Sequence, residues 1–150
     1  EGLVLLVAGD GECRTGLEQM ISDLGEDSTT RLLGEVMPRD LGRLFAAADA
    51  FILPSLWESF GLAPLEAAGA GLPIAVSDIP AMREVAGELE AGNALFFNPE
   101  SEEDIRSALT RLRDDRDLRA RLSRQSLTLA DAYSVDAMAE GFLRASGHGG

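Results

Sequence analysis

The sequence predicts an α/β protein, a parallel sheet of about five strands flanked by helices. Three observations carry that reading. Short apolar runs of four to six residues recur along the chain. Apolar residues at the helical spacing i, i+3, i+4 and i+7 fill the gaps between them. The two patterns alternate from end to end, which is the order that right-handed strand-helix-strand crossovers require.

Leu3 to Ala8 (LVLLVA) is continuously apolar and ends in Gly9-Asp10-Gly11, so it reads as a strand buried on both faces that feeds a tight turn. Leu17, Met20, Ile21 and Leu24 form one helical stripe that stops at Gly25. Thr30 to Leu33 is a second strand, closed by Gly34, and Leu41, Leu44, Phe45 and Ala48 repeat the helical spacing. Ala50 to Leu53 is the third strand, and a helix is expected from near Leu62. Pro73 to Ser77, a short helix over Met82 to Ala86, and Ala94 to Phe97 follow. Ser101 precedes Glu102, Glu103 and Asp104, the pattern of an N-cap with acids in the first turn; Ile105, Leu109 and Leu112 mark the buried face. Helical sequence is expected to continue through Leu118 and Leu122, and Ser134 to cap a last helix containing Met138, Phe142 and Leu143.

At 150 residues the chain is one domain's worth, with 45% hydrophobic and 26% charged residues, ordinary for a globular protein. A net charge of -13 argues against nucleic-acid or anionic-membrane partners, because most of the surface repels phosphate. No apolar run approaches a membrane span, and no basic leader precedes the first strand. All thirteen basic residues are arginine, so any phosphate must be held by arginine, backbone N–H groups or helix N-termini. The single cysteine, Cys13, excludes an internal disulfide, fits a reducing compartment such as the cytoplasm, and reads as a small buried apolar residue.

The chemistry concentrates in Pro54-Ser55-Leu56-Trp57-Glu58-Ser59-Phe60-Gly61-Leu62-Ala63-Pro64-Leu65-Glu66. A strand runs into a loop carrying one carboxylate, and a helix carries a second one eight residues later. Such a junction lies at the carboxyl edge of a parallel sheet, where ligands bind. The amides of Phe60, Gly61, Leu62 and Ala63 are candidate phosphate donors, and Pro64 in the first helical turn forfeits no hydrogen bond. Ionised Glu58 and Glu66 accept hydrogen bonds from vicinal hydroxyls. At about 1.5 Å per helical residue, eight positions span at most roughly 12 Å, enough to reach two parts of an extended ligand. Hydroxyls at both ends with phosphate between describe a nucleotide-sugar. Either glutamate alone is better explained as helix-dipole compensation or a solvated face. The whole ensemble, with Ser55 before it and Gly71-Leu72-Pro73-Ile74 after it, reverses that balance.

These residues are similar to the C-terminal, donor-binding domain of the retaining nucleotide-sugar glycosyltransferases of the GT-B type, glycosyltransferase family 4. The resemblance runs through GDGE, LLGEV, ADAFILPSLWESFGLAPLEAAGAGLPIAVSDIPAMREV and GNALFFNP, with Glu58 and Glu66 as the Glu-x7-Glu signature. It implies a single Rossmann-like domain over residues 1–150 that lacks the family's first strand, a fragment of a two-domain enzyme. It implies that Glu58 acts at the reaction centre on the donor sugar and that Glu66 holds the ribose hydroxyls. Phe60, Gly61, Leu62 and Ala63 would bind sugar and phosphates, and Glu35 and Val36 would line the base pocket. The donor would be a UDP- or GDP-sugar, with no metal and no other cofactor. Activity would require the N-terminal acceptor domain, through which any membrane association would also come. The family's diphosphate-gripping Arg and Lys have no counterpart here, and Arg14, Arg31, Arg39 and Arg83 are the basic residues nearest the expected loops. The competing expectation is a noncatalytic α/β folding or assembly module without a competent nucleotide site.

Weaker signals favour ordinary roles. Gly9-Asp10-Gly11 is an incomplete dinucleotide fingerprint, since Arg14 replaces its third glycine. Asp115-Arg116-Asp117 matches a metal-binding D-x-D but sits in an Arg- and Asp-rich helical stretch. His148 lies in a Gly-rich tail, which leaves no histidine chemistry. Trp57 beside Glu58 could flank a sugar, yet packing at the loop is the safer expectation.

Overall fold

The computed structural model describes residues 2–27, 29–87 and 92–134. The chain forms two compact units that divide between Leu44 and Phe45. The helix expected after Ser134, and His148, lie outside the described residues.

The first unit contains β1 (Leu5–Ala8), α1 (Arg14–Asp23), β2 (Thr30–Gly34) and the start of α2 (Pro38–Ala47). β1 and β2 pair in parallel, Leu5 opposite Thr30 and Val7 opposite Leu32. The expectation that the first strand is buried on both faces is corrected: burial alternates residue by residue along β1. A two-stranded ladder with a helix on one side covers only one face, so Leu5 and Val7 are half-buried while Leu6 and Ala8 are exposed. The α1 stripe forms as spaced, but Leu17, Met20 and Leu24 stay exposed, and no described residue of α1 is buried. Cys13 immediately before α1 is also exposed, contrary to the buried role expected of it.

The second unit is built on β3 (Phe51–Leu53), β4 (Ile74–Ser77) and β5 (Leu95–Phe97), a parallel sheet in the order β3-β4-β5. α3 (Leu62–Gly69), α4 (Pro80–Gly87), α5 (Glu102–Asp114) and α6 (Arg116–Ala132) complete it. All four residues of the central β4 are buried, as a strand covered on both faces requires. Its alternation sorts the core into two layers. Ile74 and Val76 pack with Ala67 and Ala68 of α3, Met82 and Ala86 of α4, and Leu129 of α6. Ala75 packs on the opposite side with Leu95, Phe97, Ala108, Leu112, Leu118 and Leu122.

Two helix boundaries have clear causes. Ser101 caps α5 by accepting from the Asp104 N–H at 3.2 Å, as its sequence context predicts. The expected continuous helix beyond Leu112 is instead broken at Asp115, whose backbone is extended and whose carboxylate accepts from the Leu118 N–H at 2.8 Å. The first acid of the D-x-D is therefore an N-cap. The break lets α6 turn so that Leu118 and Leu122 face one core layer and Leu129 the other.

Candidate functional site

The junction between β3 and α3 lies at the carboxyl end of β3, as the strand-loop-helix pattern predicts. The last carbonyl of β3, on Leu53, accepts from the hydroxyl of Ser77 at 3.1 Å. Ser77 is fully buried and ends β4, so this bond ties the start of the loop to the central strand. Two residues on, the Ser55 hydroxyl donates to Glu58 Oε1 at 2.8 Å. That bond braces the Glu58 carboxylate within the loop and leaves Oε2 of the half-buried Glu58 without a described partner, while Leu56 and Trp57 between the two bonded residues are exposed.

Gly61 is the N-cap of α3 and adopts a left-handed backbone, φ 85° and ψ 51°. A Cβ built there would stand 2.4 Å from Met82 Cε, and Met82 is fully buried. Both the conformation and the space therefore select glycine. The helix that follows has no side-chain cap and no acidic residue in its first turn. Among the described residues, the N–H groups of Phe60, Gly61, Leu62 and Ala63 donate to no backbone or side-chain acceptor. Pro64, the third helical residue, has no N–H and is buried. The start of α3 thus presents free donors and the positive end of its dipole.

Pro64, Ala67 and Ala68 form the buried face of α3, whereas Leu62, Ala63 and Glu66 are exposed. Leu62 and Glu66 are one turn apart, so their side chains share the outward face of α3. The structure brings Ser55, Glu58, the four amides and Glu66 onto one junction of the second unit. Glu35 and Val36 belong to the first unit, directly after β2, with Glu35 exposed and Val36 half-buried.

The basic residues nearest the expected loops are mostly engaged. Arg14 bonds Glu18 at 2.9 Å and stands 3.8 Å from Asp10, and Arg39 stands 3.6 Å from Asp40. Arg83 holds both oxygens of Asp78, at 2.6 and 2.7 Å, and lies 4.2 Å over the Phe96 ring. Those hydrogen bonds hold the Asp78 carboxyl below its ordinary range, against an opposing effect of burial, and raise the Arg83 guanidinium. Arg31 is exposed and pairs with no described acid. No group of three or more His, Cys, Asp or Glu among the described residues is placed to hold a metal ion. No described helix is long and apolar enough to cross a membrane.

Ser77 and the pair Asp78–Arg83 escaped the reading by motif. Their signals were a serine closing an otherwise apolar strand and an acid five residues ahead of an arginine across a helix start. Two hollows lie elsewhere in the second unit. One of about 100 Å³ includes Phe96, Asp104 and Arg111, and one of about 430 Å³ includes Asp49, Arg116 and Arg119. Neither is lined by a junction residue, and both are less informative about chemistry than the uncapped helix start.

The parallel α/β fold is that of GT-B glycosyltransferases, and the sequence match assigns the chain to the C-terminal domain of that class. The chain belongs to the family described as glycosyl transferases group 1, whose sequence model matches residues 1–128. It is 35% identical over 106 residues to the O-antigen chain mannosyltransferase RfbU of Salmonella typhimurium, covering 71% of this chain and 29% of that protein. It is 36% identical over 138 residues to the D-inositol 3-phosphate glycosyltransferase of Saccharomonospora viridis, covering 88% of this chain and 31% of that protein. Its fold matches Anabaena Alr3699/HepE, solved in complex with UDP and glucose, with a TM-score of 0.83 at 19% identity, over 96% of this chain and 40% of that one. The chain therefore spans about a third of the length of these relatives.

Proposed function

We propose that this chain is the donor-binding half of a retaining glycosyltransferase that takes a sugar from a UDP- or GDP-sugar and is inactive without an N-terminal acceptor half. The observation that carries the reading is the start of α3, four unused amides beside a braced carboxylate. Negative charge accumulates on the diphosphate as the sugar leaves. Fixed N–H donors and the helix dipole lower the energy of that charge without reorganising. Glu58, its orientation set by Ser55, accepts from hydroxyls of the donor sugar at the reaction centre. Glu66 accepts from the ribose hydroxyls. Phosphate is held by amides rather than by a metal, and the remaining cationic grip comes from outside this chain. A cytoplasmic place of action fits the single cysteine. The mannosyl transfer carried out by the Salmonella relative and the UDP held by the Anabaena protein support a nucleotide-sugar donor.

Titration of the full chain with UDP, GDP and NAD by calorimetry tests the reading. UDP or GDP should bind and NAD should not, with Glu66→Ala weakening the nucleotide by about 10- to 150-fold, the worth of one hydrogen bond to a charged acceptor. Heat from none of the three would instead support a noncatalytic module.

A further inference from the structure

Trp57 is the only tryptophan in the chain and is 78% exposed, so the expectation that it packs against the loop is overturned. The side chains of Ser55 and Glu58 are hydrogen-bonded to each other, and the two residues between them, Leu56 and Trp57, are both exposed. Phe60 shows the contrast within the same loop, for its ring is edge-on to Tyr133 at 6.1 Å. Among the described residues Trp57 has no ring contact and its indole N–H has no acceptor.

An aromatic side chain of this size carries roughly 150–250 Å² of surface that water solvates poorly. It stands next in sequence to a carboxylate held by Ser55, at a junction that also exposes Leu56 in the loop and Leu62 at the start of α3. A pyranose ring matches that pairing, with hydroxyls at its rim for a carboxylate and a C–H face for an aromatic plane. A flat apolar protein partner would be poorly matched to a half-buried acid beside the ring.

We propose that Trp57 is the sugar-face contact of this site, its indole lying on the C–H face of a pyranose ring while Glu58 takes that ring's hydroxyls. The proposal rests on the donor-site reading and adds a specificity-determining residue to it. The ring is carried either by the donor nucleotide or by an acceptor sugar, and the two are separable because Trp57 is the sole tryptophan reporter.

The test is tryptophan fluorescence of the full chain, with calorimetry on the same samples. UDP-glucose and GDP-mannose are compared with UDP and GDP, and methyl α-glucoside and methyl α-mannoside are then added to the UDP- or GDP-bound chain. A shift with the nucleotide-sugars beyond that with the bare nucleotides supports the donor ring; a shift only on adding a glycoside supports an acceptor ring. Trp57→Ala should remove the sugar-dependent gain in affinity, about 2- to 10-fold, leave UDP and GDP affinity unchanged, and be partly rescued by Trp57→Phe. Nucleotides that bind with no sugar-dependent change in emission overturn the proposal and leave the donor reading standing. Absence of any nucleotide binding overturns both.

Discussion

Gly61→Ala tests the geometry of the junction most directly. The native φ of 85° lies in the left-handed region, where a Cβ costs roughly 1–2 kcal/mol. The added carbon would also stand 2.4 Å from Met82 Cε. A methionine end is adaptable, but Met82 is wholly enclosed between α3 and β4, so displacing it costs about 1 kcal/mol more. The expected total is about 2–3 kcal/mol, a fall in Tm of roughly 4–12 °C for a domain of this size. Gly71→Ala is the internal control. Gly71 has φ 76°, but its Cβ would meet Leu127 at an ordinary 3.6 Å, so it bears the backbone cost alone. Urea denaturation of both variants should rank Gly61→Ala as the more damaging by about 1 kcal/mol. If Gly71→Ala costs as much or more, the close packing of Gly61 on Met82 is not what fixes the loop.

Two further outcomes follow from polar contacts. The buried Ser126 hydroxyl donates to the Leu72 carbonyl at 2.6 Å, joining α6 to the turn after α3, so Ser126→Ala should lose about 1–3 kcal/mol in urea denaturation by leaving that carbonyl unpaired; a change under about 0.5 kcal/mol would refute the link. Asp78 is held below its ordinary pKa by Arg83, so the stability this pair contributes is present above about pH 3.9 and is lost as the pH falls through the depressed value. The stability difference between the native chain and Asp78→Asn should therefore be flat from pH 7 to pH 5 and shrink in acid, and a difference that grows below pH 4 would contradict the assignment.

Much of the second unit was legible because its signals are local. The apolar run Pro73 to Ser77 contains a strand buried on both faces, and Ser101 with its three acids caps a helix where expected. The Glu-x7-Glu junction was readable for the same reason, since strand, loop and helix are consecutive and α3 starts at the predicted Leu62. Signals that depend on partners elsewhere in the chain read less well. The stripe on α1 and the run in β1 have the periodicity of buried elements, but periodicity says which face is apolar and not whether anything covers it.

By itself, the sequence determined the class of fold, the family and the residues of the junction, because strand and helix periods and a spaced pair of acids are properties of neighbouring positions. Only the tertiary structure decided how those residues are used. Met82, twenty-one positions after Gly61, occupies the space that a side chain at Gly61 would need. Ser77, from a different strand, pins the last carbonyl of β3, where the loop begins. Ser55 holds the Glu58 carboxylate while Trp57 beside it stays exposed, and Arg83 is taken up by Asp78 and Phe96. Each of these is a contact in space whose energy depends on distance and burial, quantities that exist only once the chain has folded.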